Sequence, residues 1–417
     1  MAARVELRRS LPALIASIPV VIIFLAVLSI VLTAAGPRGL GLDARTASGW
    51  IALLYGWPTA IALVLTLRYR QPLLMTGNVF AIIFFVSVGD RISFPALAGA
   101  SLLAGGIVLL IALLGLTSRI AAWIPAPIVQ GLIAGAVMPF VVDVFSFLST
   151  TSDGLPAPIG VPLMVGAALI AYLVTQRSFA ARVPPILPAF LAGLLVAALT
   201  GQLGAFPTSF SLPPLEPSLP EFSWAAIATA TPVLVALITV PSNIPAVIFM
   251  RTQGYEPPDR LVNVVSGAGT IAGSFLGPIV VSLALPPILL TAGPTAGDRS
   301  IRYRAAYLPI AAGLAIALFA STAAELAVLI PSVLLLSMGG LALLGALAAA
   351  LKEIARGPLT LGPLFAFAIA LSDMTVLGLD PFFWSLVLGT LVSLLVEREG
   401  WDELRRARAE PPDRDSG

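Results

Sequence analysis

One amide side chain, Asn243, stands in the middle of a long apolar stretch, between Pro241 and Pro245. An amide in hydrocarbon costs roughly 2–7 kcal/mol unless it finds hydrogen-bond partners. Each proline leaves a main-chain carbonyl without its usual N–H partner, and such carbonyls can line a cavity. We therefore predict that Asn243, with Ser242 beside it, binds a substrate. The alternative is a hydrogen bond that joins two helices.

A second set of polar residues precedes a short apolar run. Thr76, Gly77 and Asn78 stand directly before it. Thr and Asn are good helix N-caps, and Gly lets a ligand approach the backbone. The free N–H groups and the positive dipole end of a helix that begins there suit a carboxylate. Ser282 offers the same arrangement at another short run. We predict that all four bind substrate; the alternative is plain helix capping at the membrane surface.

The chain contains no histidine, the side chain that most often titrates near neutral pH. Any proton coupling must therefore use a carboxylate with a raised pKa, or a proton carried by the substrate. Asp143 and Asp373 are the candidates, since ionisable residues inside membranes are usually functional. Both lie toward the outer ends of their segments, where burying a charge costs little free energy. The alternative is therefore that they are solvated residues without a function in coupling. We favour that alternative for Glu325, in a tight turn.

Other chemistry is excluded by what the sequence lacks. It contains no cysteine, so disulfides, thiolate nucleophiles and Cys metal sites are absent. It has no nucleotide-binding glycine motif, metal-ligand cluster or catalytic triad. We predict no cofactor, no metal and no enzymatic activity, and we expect no nucleic acid as a partner.

Composition identifies a membrane protein. Only 11% of the 417 residues are charged and 58% are hydrophobic, whereas about 25% are charged in soluble domains. A crossing takes about 20 apolar residues, so about fourteen crossings leave only short loops. The predicted segments are 11–34, 46–66, 71–88, 94–116, 123–148, 158–175, 183–203, 224–250, 260–279, 280–292, 305–323, 327–350, 359–378 and 380–396.

The third and tenth segments are interrupted. The third opens with Pro, Gly and polar residues, and the tenth is short and contains Pro286-Pro287, a pair that would break a helix ladder. They occupy corresponding places in the two halves of the chain. Paired interruptions of this kind indicate a midplane binding site between inverted repeats. Small-residue runs such as Gly105-Gly106 and Gly267-Ala268-Gly269 are predicted to be packing surfaces.

The positions of the positive charges orient the chain. With a cytoplasmic N-terminus, 20 of the 23 Lys and Arg residues fall on the cytoplasmic side, as the positive-inside rule requires. The Pro-rich loop 204–223 carries no Lys or Arg and falls outside. We predict a multi-pass protein of the cytoplasmic (inner) membrane, embedded in the lipid bilayer, with both termini in the cytoplasm.

A series of short motifs runs along most of the chain. In order they are Pro241-Ser242-Asn243-Ile244-Pro245, Met250-Arg251-Thr252-Gln253-Gly254-Tyr255, Leu276-Gly277-Pro278, Gly293-Pro294 before Arg302-Tyr303, Gly340-Leu341-Ala342-Leu343-Leu344 and Phe383-Trp384. This series resembles the benzoate:proton symporter family, BenE, which is similar to the UraA-type transporters. The chain departs from the family at Ser242, where Gln is usual, and at Ser282, which takes the place of Asn.

The resemblance implies an all-α membrane fold of fourteen segments in two inverted repeats of seven. Segments three and ten would each be an extended piece plus a half-helix, meeting at the substrate. The implied parts are a core domain (1–120 and 224–326), a gate domain (121–205 and 327–397), an extracytoplasmic linker (206–223) and a cytoplasmic tail (398–417).

The function expected from the resemblance is secondary transport. The partners would be a small organic anion, such as benzoate or a similar aromatic acid, and a proton, taken up together by alternating access. A homodimer is compatible with this expectation. The alternatives are a nucleobase or inorganic-anion carrier on the same scaffold and, from a different class, a channel.

Overall fold

The fold is known from a computed structural model, which describes residues 2–36, 39–116, 125–150, 158–178, 185–204, 211–322, 330–372, 374–376 and 381–409. Helices of the first half are α1 (Ala2–Ala35), α2 (Ala44–Tyr69), α3 (Val79–Val88), α4 (Phe94–Leu113), α5 (Ala126–Ser146), α6 (Gly160–Ser178) and α7 (Ile186–Leu199). Helices of the second half are α8 (Trp224–Ile238), α9 (Ile244–Thr252), α10 (Asp259–Gly273), α11 (Leu285–Ala292), α12 (Tyr307–Leu318), α13 (Ser332–Arg356), α14 (Leu361–Leu371), α15 (Pro381–Val396) and α16 (Arg398–Ala409).

Most of these helices are apolar and suited to a membrane. Within the described ranges, seven are long and apolar enough to cross one, with α8 and α9 counted together, and an eighth is added if α15 and α16 form one bent span. Shorter apolar helices include α3, α7 and α14. The protein is therefore a helical membrane protein, while the number of fourteen crossings stays a prediction.

Two short strands correct the expectation of an all-α fold. Strands β1 (Met75–Gly77) and β2 (Val281–Leu283) pair antiparallel, with Thr76 opposite Ser282. Two further main-chain bonds extend the pairing, from Asn78 N to Val280 O at 2.8 Å and from Ala284 N to Leu74 O at 3.1 Å. The prediction that segments three and ten each consist of an extended piece and a half-helix is confirmed. We call the paired strands the ribbon.

The half-helices begin at the two ends of the ribbon. Helix α3 follows β1 directly, with Asn78 as its N-cap, and α11 follows β2 with Ala284 as its N-cap. The prediction that Pro286 and Pro287 interrupt a helix from inside was wrong. They lie in the first turn of α11, where the N–H that proline lacks would have no intrahelical partner anyway.

Helices α2 and α10 hold the ribbon from either side. The indole Nε1 of Trp50 donates to Pro278 O at 2.8 Å, just before β2. The main-chain N–H of Val281 donates to Oγ1 of Thr270 on α10 at 3.0 Å. Gly77 lies so close to α2 that a Cβ there would come within 3.0 Å of Leu54 O. The ribbon is thus fixed to its neighbours by hydrogen bonds and by close packing.

Helices α13 and α14 both pack against α5. Glycines allow these close approaches, because a Cβ at Gly131 would lie 2.2 Å from Pro363 O and one at Gly340 would lie 2.2 Å from Phe140 O. Helices α6 and α7 pack on each other and on α13 around a separate apolar cluster.

Helix α16, the last described helix, is bent by 101° from α15. Glu397, at the bend, accepts hydrogen bonds from Leu361 N at 2.7 Å and Gly362 N at 2.9 Å, and so caps α14. Desolvation raises the pKa of this carboxyl, but the main-chain donors of α14 and the hydroxyl of Ser393 outweigh it, so the pKa is lowered.

Helices α4 and α10 approach closely through glycines, as predicted. A Cβ at Gly105 would lie 2.8 Å from Gly267 O, and a Cβ at Gly267 would lie 2.7 Å from Gly105 O. Gly106, the next residue, has open space around its Cβ position. The packing surface therefore includes Gly105 and Gly267 but not Gly106.

These neighbouring glycines give a matched test of the packing. We expect Gly105→Ala to destabilise the protein by roughly 1–3 kcal/mol, because the added methyl group meets backbone atoms that cannot move aside. Gly106→Ala should be neutral, or stabilising by up to about 1 kcal/mol, because alanine favours the helix. The measurement is thermal unfolding in detergent, followed by tryptophan fluorescence. Equal melting temperatures for the two variants would contradict the helix contact.

Candidate functional site

The candidate site lies where the ribbon, the two half-helices and a π-helical turn meet. That turn (Thr239–Asn243) connects α8 to α9. It forms where Pro241 and Pro245 interrupt the regular hydrogen-bond ladder. Turns of this kind are frequent at functional sites. Ser242 Oγ donates to Leu237 O, in the last turn of α8, at 2.8 Å. This bond partly satisfies a carbonyl that the turn leaves without its main-chain partner.

Asn78 joins these elements. Its Oδ1 accepts from Ala81 N at 3.1 Å and so caps α3. Its Nδ2 donates to Ser242 Oγ at 2.9 Å and to Ser282 Oγ at 3.0 Å. The structure therefore brings together three of the predicted residues from three separate segments. We call Asn78, Ser242 and Ser282 the polar cluster.

Asn243 is a bridge between segments, and its amide is not unpaired as the sequence suggested. Nδ2 donates to Asn263 Oδ1 and to Ser266 Oγ, both at 3.0 Å. Oδ1 accepts from Leu283 N, in β2, at 2.9 Å. The side chain is fully buried. The hydrogen bonds match the alternative reading, in which the amide joins helices.

Ser282 and Gly77 differ from their expected local roles. Ser282 lies inside β2, and the N-cap of α11 is Ala284, which has no side-chain oxygen. The alternative of plain helix capping therefore does not hold for Ser282, while its predicted role in substrate binding stays a prediction. Gly77 has a packing reason for having no side chain, the contact with Leu54. Thr76 lies opposite Ser282 on the ribbon and is partly exposed.

The two half-helices offer unequal numbers of N–H donors. At the start of α3, the N–H groups of Val79 and Phe80 have no acceptor among the described residues. In the first turn of α11, Pro286 and Pro287 have no N–H at all, which leaves Leu285. An anion placed between them would receive more main-chain hydrogen bonds from α3 than from α11.

The site is electrically neutral. No Asp, Glu, Lys or Arg side chain is buried in the described ranges. The segments that build the site, 71–88, 224–250 and 280–292, contain no Asp, Glu, Lys or Arg. Hydroxyls, amides and N–H groups therefore supply all of its polarity, and an ion pair between substrate and protein is not available there.

Neither predicted coupling carboxylate belongs to the polar cluster. Asp143 lies in the last turn of α5 and is partly exposed. Asp373 lies outside the described residues. The polar cluster and the Asn243 bridge therefore have no described carboxylate among their hydrogen-bond partners.

The sequence interpretation missed Asn263, Ser266 and Thr270 on α10. The first two hold Asn243, and the third holds β2 through Val281 N. Their positions differ by three and four residues, which places them on one face of a helix. That spacing, in a segment otherwise of small and apolar residues, was the available signal.

Half-helix α3 also contacts helices outside the polar cluster. The ring of Phe84 packs edge to face against Phe382 of α15, with ring centroids 5.3 Å apart. Ile83 and Val86 line a small apolar cavity that they share with α1, α5 and α13. The Asn78 side chain therefore bonds to α8, the π-helical turn and β2, while the body of α3 lies against α15 and the cavity shared with α1, α5 and α13.

The Asn243 bridge gives a stability prediction. Asn243→Ala would leave Leu283 N and the polar groups of α10 buried without partners, so we expect a loss of roughly 1–3 kcal/mol. Thr231→Val is the matched control on α8, because it removes a single buried hydrogen bond to Ala100 O and should cost less. Thermal unfolding in detergent checks both. An Asn243→Ala protein as stable as the parent, with substrate affinity lost, would instead support direct substrate binding.

Comparisons with known proteins agree with this architecture. Two solved structures share the fold: murine solute carrier 26 family member A9, an anion transporter, in the inward-facing state (TM-score 0.63, 12% identity, 92% of this chain and 68% of that chain), and the transmembrane domain of the cyanobacterial bicarbonate transporter BicA (TM-score 0.55, 16% identity, 92% and 96%).

Sequence relatives identify the family. The benzoate membrane transport protein of Acinetobacter baylyi is 26% identical, over 83% of this chain and 86% of the relative. The inner membrane protein YdcO of Escherichia coli is 24% identical, over 85% and 91%. Residues 8–395 match the BenE profile, described as benzoate membrane transport protein. With nearly the whole sequence matched, the chain belongs to the BenE family of membrane transporters.

Proposed function

We propose that this protein is a secondary active transporter that takes up benzoate, or a similar aromatic or organic carboxylate, together with a proton. The observation that carries the proposal is the polar cluster at the start of two half-helices, in a chain of the BenE family. Donor groups without formal charge suit a single negative charge spread over a carboxylate. A substrate with several charges would lack cationic partners there.

We propose that Thr76, Gly77, Asn78, Ser242, Asn243 and Ser282 build the substrate site, some by contact with the substrate and others by positioning those that contact it. They differ in what they can do. Thr76 and Ser282 have hydroxyls at the ribbon, while Gly77 contributes only main-chain atoms. The Asn78, Ser242 and Asn243 side chains all make hydrogen bonds to protein atoms. Their proposed role is therefore to hold the site in shape.

Alternating access is proposed to move a core domain (1–120 and 224–326) against a gate domain (121–205 and 327–397). The hydrogen bonds of the ribbon run to α2, α8 and α10, which are all core segments. Contacts between the proposed domains are apolar where Phe84 meets Phe382. Apolar contacts can slide or part without stranding polar groups, which suits a moving interface. The charge split places both termini in the cytoplasm.

An inorganic-anion carrier is the second candidate, because both solved structures named above are of proteins that transport anions by their descriptions. A nucleobase carrier is less well supported, because related carriers place Glu in segments eight and ten and this chain has none there. Uptake into proteoliposomes of labelled benzoate, bicarbonate and uracil separates the three. Saturable benzoate uptake that a protonophore collapses is the expected result, and bicarbonate uptake alone would favour the second candidate.

The proton-coupling step is testable through the two carboxylates. Asp143→Asn mimics a permanently protonated acid, so we expect it to lose benzoate accumulation driven by a pH difference. Exchange of internal for external benzoate should persist, because exchange moves no net proton. Asp373→Asn is measured beside it, in the same proteoliposomes. If both variants still accumulate benzoate, neither residue couples, and the substrate's own carboxyl or a different cation supplies the coupling.

A further inference from the structure

The orientation of the Asn78 amide is fixed by a neighbouring group that can donate a hydrogen bond but cannot accept one. Ala81 N–H can only donate, and it donates to Asn78 Oδ1 at 3.1 Å. The other end of the amide must therefore be the NH₂ group, which can only donate. It faces Ser242 Oγ at 2.9 Å, Ser282 Oγ at 3.0 Å and Leu237 O at 3.2 Å. Two amide hydrogens thus serve three acceptors.

This orientation decides how the two serine hydroxyls point. Both accept from Asn78 and must direct their own hydrogens elsewhere. Ser242 donates its hydrogen to Leu237 O at 2.8 Å. Ser282 makes no hydrogen bond as a donor to any described residue, although its side chain is only 1% exposed. A buried hydroxyl hydrogen without an acceptor is costly, so this group is suited to an acceptor that arrives with a ligand.

We propose that Asn78 is a positioning residue for anion selectivity, which acts by holding the Ser282 hydroxyl as a hydrogen-bond donor toward the substrate. Asn78 itself does not touch the substrate. The inference rests on the proposed function, since it takes the polar cluster as part of the substrate site. It adds the reason why the site accepts a carboxylate oxygen and rejects a group that donates.

The groups next to Ser282 can also donate hydrogen bonds. Val79 and Phe80 present N–H groups at the start of α3, and Thr76 lies across the ribbon from Ser282. A chain of hydrogen bonds in one direction, from Ala81 through Asn78 to Ser282, strengthens its last donor. The amide of an aromatic acid has nearly the shape of the carboxylate, but its NH₂ group would face these donors. A site built in this way rejects the amide strongly.

The test compares benzoate with benzamide on purified protein by binding calorimetry. Asn78→Ser keeps a good N-cap for α3, but its shorter side chain cannot reach Ser282. We expect benzoate affinity to fall about tenfold, the equivalent of one charge-assisted hydrogen bond. Benzamide affinity should stay constant or rise, so the ratio of the two affinities falls at least about tenfold.

Two further variants decide whether Asn78 acts through Ser282. Ser282→Ala should lower the benzoate-to-benzamide ratio by a similar factor. The double variant Asn78→Ser with Ser282→Ala should show no further loss, because the second change then removes an interaction already absent. Ser93→Ala is the control. It removes the N-cap of α4, where Ser93 Oγ accepts from Ala96 N at 3.3 Å, and should lower stability without changing the ratio.

Each outcome either supports or overturns the proposal. Additive losses in the double variant, or an unchanged ratio with lowered stability as in Ser93→Ala, would mean that Asn78 is only structural. If the parent protein binds no benzoate, the proposed substrate is wrong, and this result by itself says nothing about the role of Asn78. The same variants are then compared on bicarbonate and urea, a planar anion and a neutral donor of similar shape. A selectivity that still falls with Asn78→Ser supports the positioning role, and one that does not overturns it.

Discussion

The pairing of β1 with β2 is the constraint on which the rest of the site depends. Extended backbone inside a membrane must have its N–H and C=O groups paired within the protein, because lipid offers no partners. Each strand alone, three residues long, could not meet that requirement. By pairing Thr76 with Ser282, two segments far apart in sequence satisfy each other, and both half-helices then begin at fixed places.

Neutral side chains pair the N–H groups of β2 that do not bond to β1. Leu283 N is satisfied by Asn243 and Val281 N by Thr270, so the outer edge of β2 is closed by an amide and a hydroxyl. A charged residue in the same place would cost several kcal/mol of desolvation. Amides and hydroxyls carry both donors and acceptors, so they can close the network without adding charge to a site proposed for an anion.

Much of this could be predicted from sequence, because some signals are local. The residues near Thr76 and Pro286 indicated interrupted segments, for which the family resemblance implied extended pieces, and the glycines at 105 and 267 indicated close helix contacts. The partners of Asn243 could not be predicted, because they depend on how α10 is rotated against the ribbon, and an isolated helix pattern does not fix that rotation. The role of Gly77 was missed for a similar reason, since only the position of α2 reveals the contact with Leu54.

Hydrogen bonds and apolar contacts are distributed differently around the ribbon. The polar network joins the ribbon to α2, α8 and α10, and its members are mostly buried, so the site is held in shape before a substrate arrives. Preorganised donors lose little entropy on binding. The described contact between α3 and α15, by contrast, is one of aromatic rings. In the proposed alternating access, the hydrogen bonds around the ribbon would keep the shape of the site while the ring contact parts. The hydrogen bond from Thr33 Oγ1 on α1 to Leu335 O on α13, at 3.1 Å, also crosses the proposed boundary and would have to break or reform.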